Sequence, residues 1–276
     1  MQPFNFNNTK GIRFGDGLSV KSAEEVSKKL GSKILFVTDP GLVKLGLIDK
    51  TIKALKMESE VLIFDSVEAD PSLKTLMLCV EEGKNFQASG IIGFGGGASM
   101  DVARAIALKV NHPENDLFDF DDAKGGDKFA VNEIPHFITI PTTSGTGSEV
   151  GRSTVISDDV TKEKMILFAP SLMAKKVFVD PTLSLGLPAF VTAATGIDAL
   201  THNIEAYLAP GFNPLCDGLA LEGIKLVKNS LEKATKDPCV KSRGEMAMAA
   251  LIGATAFQKG LGIVHSMAHP LSTKFN

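Results

Sequence analysis

Gly90-Ile91-Ile92-Gly93-Phe94-Gly95-Gly96-Gly97-Ala98-Ser99-Met100-Asp101-Val102-Ala103-Arg104-Ala105-Ile106-Ala107 is the stretch on which the fold class turns. A short apolar run enters three adjacent glycines and leaves as a helical pattern, with Ser99 as the expected helix cap. Strand, glycine turn and helix in that order form the front half of a βαβ crossover, the connection that joins parallel strands. Glycines let the backbone approach a ligand, and a helix start offers unpaired N–H groups to a pyrophosphate. The spacing departs from G-x-G-x-x-G, so the loop alone reads as phosphate binding or as a tight turn. Three adjacent glycines exceed what a turn needs, which favours phosphate.

Outward from this stretch, strands and helices alternate. Residues 33–38 predict a buried strand ended by Asp39-Pro40-Gly41, residues 43–56 a helix, and residues 60–65 a second strand. A helix opens at Pro71-Ser72 and runs toward Phe86. Downstream, residues 136–140 predict a strand ending at Pro141, residues 155–156 and 165–167 a hairpin, and residues 177–179 a last strand. Beyond Pro188 the strand runs give out, and Ala- and Leu-rich helical patterns follow over 189–208 and 217–234. The expected organisation is an α/β domain over 1–185 and an all-α domain over 186–276.

Composition bounds the function. The 276 residues are 44% hydrophobic and 22% charged, with a mean hydropathy of +0.12, which suits a chain that buries a core rather than a disordered one. A net charge of −3 leaves no excess of cations to neutralise phosphates, so an electrostatic nucleic-acid binder is not expected. Cys79, Cys216 and Cys239 lie far apart without a C-x-x-C pair, and the simplest home for them is a reducing cytoplasm. No apolar run approaches the ~20 residues that span a bilayer, and no membrane partner is expected. Residues 4–8, FNFNN, are expected to pair as an edge strand with a second subunit.

Three further features carry chemistry. Residues 141–149, PTTSGTGSE, form a second loop at the end of a strand, where open α/β sheets bind ligands. Asp39 ends the strand over 33–38, where an acidic group accepts hydrogen bonds from ribose hydroxyls; Asp-Pro-Gly is equally a good turn. Asp198 and His202 stand at i, i+4 in a helical run, and His265 and His269 repeat that spacing. Each pair therefore projects from one helical face. Three of the five histidines fall here, and imidazole with carboxylate suits Fe(II), Zn(II), Mn(II) or Co(II).

Together GFGGGASMDVARAIA (93–107), PTTSGTGSEV (141–150), ATGIDALTHNIEAY (194–207) and GLGIVHSMAHPL (260–271) resemble the iron-dependent (group III) alcohol dehydrogenases, within the dehydroquinate synthase-like superfamily. The resemblance implies a Rossmann-like N-terminal domain, an all-α C-terminal domain, NAD as cofactor and a divalent metal, Fe(II) before Zn(II). It places Asp39, Gly96, Gly97, Ser99, Thr142, Ser144 and Lys164 at the dinucleotide, and Asp198, His202 and His265 at the metal. It places His269 beside the substrate as a proton relay. The implied reaction is hydride transfer between NAD(H) and a small alcohol or aldehyde, by a cytoplasmic homodimer or higher homo-oligomer. The family's fourth metal ligand, a histidine beyond the third, would fall past Asn276, so the chain is expected to lack the end of the second domain. The alternatives are a non-catalytic NAD-binding fragment and a zinc glycerol dehydrogenase-like enzyme.

Overall fold

The computed structural model describes residues 3–161 and 163–275, without the side chains of Pro170, His269, Thr273 and Phe275. Contacts sort the chain into two compact units. One comprises Thr9–Pro141 and Gly151–Val179; the other comprises Asp180–Asn276 together with Met1–Asn8 and Thr142–Val150.

The first unit is α/β. In chain order it holds β1 (Ile12–Phe14), α1 (Leu18–Lys21), α2 (Ala23–Leu30), β2 (Lys33–Val37), α3 (Pro40–Lys44), α4 (Asp49–Leu55) and β3 (Glu60–Phe64). There follow α5 (Leu73–Phe86), β4 (Gly90–Gly95), α6 (Gly97–Asn111), β5 (Phe137–Pro141), β6 (Ser153–Ser157), β7 (Lys164–Phe168) and β8 (Lys176–Val179). Six strands pair in the order β1-β8-β5-β4-β2-β3, every neighbour parallel. The inner strands β4 and β5 are buried along their whole length, as a parallel sheet covered on both faces requires. From β2 the chain runs out to β3 at one edge and returns to β4 on the other side of β2. The carboxyl ends of β2 and β4 therefore flank the topological switch point, with Val37 beside Gly93.

Gly93 sets how closely helix and sheet meet, because a Cβ there would lie 2.9 Å from Met100 Cα. The fully buried Arg104 of α6 fixes the antiparallel β6–β7 hairpin. Its Nη1 donates to Asp101 Oδ1 at 2.8 Å and to the Ser153 carbonyl at 2.7 Å, and its Nε donates to the Leu172 carbonyl at 3.2 Å. Asp101 in turn accepts the Val155 amide at 3.2 Å. A buried charge without such partners would be strongly destabilising.

The second unit holds α7 (Ala189–Leu208), α8 (Pro214–Lys236), α9 (Val240–Ala256) and α10 (Ile263–Phe275). The buried Asn203 of α7 donates to the Ala199 and Ala249 carbonyls at 2.7 and 3.0 Å. Glycines of α8 and α9 face it: a Cβ on Gly223 would sit 1.9 Å from Asn203 Oδ1, and one on Gly253 2.6 Å from Nδ2. Three helices thus converge on one amide. The segment 142–150 lies against them, with Gly145 on Thr195 and Gly147, at φ +62°, on Ala250 and Ala254.

The strands expected over 33–38, 60–65, 136–140 and 177–179 and the hairpin are present, and so are the parallel sheet and the helical second part. Two expectations are corrected. The helix expected over 43–56 is two helices, because Gly46 adopts φ +66° between α3 and α4 and leaves Leu45 exposed. The cap of α6 is Gly96, which takes the extended backbone of a cap, and Ser99 lies buried inside the first turn. Within the single chain the segment 4–8 lies on the helical unit: Phe6 packs on Ala206, Cys216, Ala220 and Ala256, and Asn7 exchanges hydrogen bonds with Gln258.

Candidate functional site

One helical turn separates Asp198 from His202 on α7, so both project from one face. His265 reaches the same point from α10. One ligand atom from each of the three lies within 4.8 Å of the other two. Asp198 Oδ1 is 3.7 Å from His202 Nδ1 and 3.6 Å from His265 Nε2. The two imidazoles stack with centroids 4.3 Å apart, and Phe257 packs against the His202 ring at 5.1 Å.

The electrostatics suit a cation. His202 Nδ1 is buried with no hydrogen-bond partner, an unmet demand that costs free energy unless something supplies it. Burial holds His202 below the ordinary imidazole range, with Asp198 pulling the other way and His265 adding to the depression. A neutral imidazole is the form that ligates metal. His265 behaves oppositely: the neighbouring Asp198 carboxylate raises it against burial, and Glu205 adds to the rise. The group drawn toward His265 Nε2 is thus a positive charge. An orphaned imidazole nitrogen, a carboxylate and a second imidazole at these distances fit a divalent metal of borderline character.

The glycine loop of the α/β unit has its own geometry. Gly95 takes φ +147°, and a Cβ on it would meet Ser99 Oγ at 2.7 Å and Leu42 Cδ1 at 3.3 Å. No side chain caps α6, so its first N–H groups stay available, as phosphate binding at a helix start requires. Two hydroxyls at the switch point, Thr38 Oγ1 and Ser99 Oγ, are buried without partners. The cradle fits a dinucleotide phosphate. Asp39, at the end of β2, accepts the Leu42 amide at 3.0 Å and so caps α3; its turn role is occupied through Oδ1.

Models of two families cover nearly the whole chain. Residues 9–181 match "Iron-containing alcohol dehydrogenase", and residues 192–276 match "Fe-containing alcohol dehydrogenase family, C-terminal". The chain belongs to the iron-containing alcohol dehydrogenase family. It is 40% identical over 238 residues to a 4-hydroxybutyrate dehydrogenase of Cupriavidus necator, covering 86% of this chain and 62% of that protein. The chain thus spans less than two thirds of that relative's length. A crystal structure of 1,3-propanediol oxidoreductase superposes with a TM-score of 0.93 at 34% identity, covering 99% of this chain and 71% of the other. Sulfoacetaldehyde reductase from Bifidobacterium kashiwanohense, solved in complex with NAD+, gives 0.87 at 26% identity over 99% of this chain and 72% of its own.

Within this chain the remaining candidates fall as follows. Gly96 and Gly97 open α6, Thr142 and Ser144 lie buried in the segment after β5, and Lys164 begins β7. Lys164 is held by Asp70 at 3.4 Å, the carboxylate that also accepts the Ser157 hydroxyl at 2.9 Å. His269 is on α10 one turn past His265, and its side chain lies outside the described residues. Sequence reasoning missed Glu205. It stands three positions after His202 and seven after Asp198, a helical spacing that places all three on one face of α7.

Proposed function

We propose that the protein transfers hydride reversibly between NAD(H) and a small alcohol or aldehyde, using a divalent metal, Fe(II) before Zn(II). The observation that carries the reading is the convergence of Asp198, His202 and His265 within 4.8 Å, with the His202 nitrogen buried and unpartnered. When bound, the metal supplies Lewis acidity to a substrate oxygen and the nicotinamide supplies the hydride acceptor or donor. The chain's own residues do the rest. Asp198 contributes the anionic donor, and the two imidazoles contribute neutral ones. Gly96, Gly97 and Ser99 hold the dinucleotide phosphates at the start of α6, with Thr142, Ser144 and Lys164 as further contacts. Asp39 accepts from ribose hydroxyls through the oxygen not used in capping, and its charge disfavours a 2′-phosphate, so NAD is preferred to NADP. His269 moves the substrate hydroxyl proton to solvent, since imidazole titrates near working pH.

The test compares Fe(II)-reconstituted with metal-free protein in NADH oxidation by propanal, alongside His265→Ala. Metal-dependent turnover, with His265→Ala losing metal while still binding NADH, is the expected result. NADH binding without turnover in the reconstituted protein would refute the enzymatic reading.

A further inference from the structure

We propose that Glu205 is a positioning residue of the metal centre, setting the tautomer and heading of the His265 ring. The inference rests on the reading of Asp198, His202 and His265 as metal ligands. Glu205 is buried on α7, yet its carboxylate is fully engaged. Oε2 accepts the Gly262 amide at 2.9 Å, and Oε1 accepts the Val264 amide at 2.7 Å. The third bond, at 2.6 Å, joins Oε2 to His265 Nδ1. Both oxygens of the carboxyl group face backbone N–H donors, so the group stands there as an acceptor. The carboxylate can only accept, so Nδ1 carries the proton and Nε2 keeps its lone pair for a cation held beside Asp198.

The backbone at the start of α10 is shaped around this carboxylate. A Cβ on Gly262 would lie 2.8 Å from Glu205 Oε1 and 3.0 Å from its Cδ. Capping the helix accounts for the two amide bonds alone; the third, to the imidazole, serves the ring. Carboxylate–histidine–metal relays fix ring orientation in this way, and losing the outer partner typically costs about 10–100-fold in metal affinity.

The experiment titrates metal-free wild type, Glu205→Gln and Glu205→Ala with Co(II) against a chromophoric chelator. Melting of the metal-free proteins is measured in parallel. Wild type should bind about one Co(II) per chain. Glu205→Ala should bind about 10–100-fold more weakly, and Glu205→Gln, whose amide oxygen can still take the Nδ1 proton, should recover part of that loss. Long-range 1H–15N spectra of the metal-free proteins at alkaline pH give a second readout. The Nδ1–H tautomer of His265 in wild type, lost in Glu205→Ala, supports the proposal; an Nε2–H tautomer in wild type overturns it. Equal Co(II) affinity in wild type and Glu205→Ala also overturns it, even if melting falls, because Glu205 is then a helix cap only. If Glu205→Ala does not fold, equal affinity in Glu205→Gln and wild type, with the Nε2–H tautomer in both, overturns it equally. No Co(II) binding by wild type instead overturns the metal-centre reading and the proposal with it.

Discussion

Gly147→Ala tests whether the segment 142–150 is a fitted part of the helical unit or a solvated loop. Two costs act at this position. The backbone is left-handed, at φ +62°, which costs a side-chain-bearing residue about 1–2 kcal/mol. The new Cβ would also stand 2.2 Å from Ala254 Cβ and 2.6 Å from the Ala250 carbonyl, an overpacking that costs about 1–3 kcal/mol. The comparator is Gly125→Ala, at φ +65° with nothing within 4 Å of the added atom, which carries only the first cost. At about 2–4 °C per kcal/mol for a chain of this size, Gly147→Ala should lower the melting temperature by about 8–16 °C if its sum is near 4 kcal/mol. Gly125→Ala should lower it by about 2–4 °C if its cost is near 1 kcal/mol. Scanning calorimetry of both variants against wild type measures the difference. Equal shifts would refute the argument, because they would show that α9 offers the loop no fixed surface.

Asn203→Ala and Gly223→Ala should each destabilise alone, yet the double variant should lose less than their sum by about 0.5–3 kcal/mol, because truncating the amide vacates the space that the Gly223 Cβ would need; additive losses in urea unfolding would contradict the packing. Arg104→Ala should cost about 3–5 kcal/mol by taking the cation from the part-buried Asp101 and the donors from the Ser153 and Leu172 carbonyls, and a loss under about 1 kcal/mol in the same assay would show that the hairpin is held by other means. Only one thiol should react quickly with Ellman's reagent in the native protein. Cys239 is partly exposed and held below the usual thiol range by the Ser242 hydroxyl and amide, whereas Cys79 and Cys216 are buried and burial pushes Cys79 up. Fast reaction of Cys79 would contradict the packing of α5.

What could be read from residues alone was whatever has a local period. The strands at 33–37 and 137–141 announce themselves as β-branched runs ended by Asp-Pro or Pro-Thr, and the Asp198/His202 spacing is a helical repeat that needs no tertiary knowledge. Gly46 hides in the pattern because the apolar positions 45, 48, 52 and 55 satisfy a helical period across a break that one left-handed glycine imposes. Ser99 reads as a cap because serine is a good one, yet Gly96 already takes the cap conformation and leaves the hydroxyl buried in the turn. Glu205 is a glutamate in a helix, an ordinary sight. Its importance comes from amides 57 and 59 residues away, as that of Gly223 comes from an amide on another helix. The docking of 142–150 on α7 and α9 depends likewise on partners far along the chain, and Thr-Ser-Gly composition says only that a turn is possible.

The pairing of β1 with β8 has a consequence for biogenesis. Ile12 lies beside Val177, so β1 waits for a partner synthesised about 165 residues later. At about 5–20 residues per second, that wait is on the order of 10–30 s. Once β5 has emerged, its outer side is an open edge until β8 follows about 35 residues later, and unpaired edges of this kind recruit other chains. The sheet closes only when β8 arrives to sit between β5 and β1. Yield in the cell should therefore depend on chaperone supply during that interval more than on the stability of the finished fold, and slowing translation between residues 141 and 176 should lengthen the hazard.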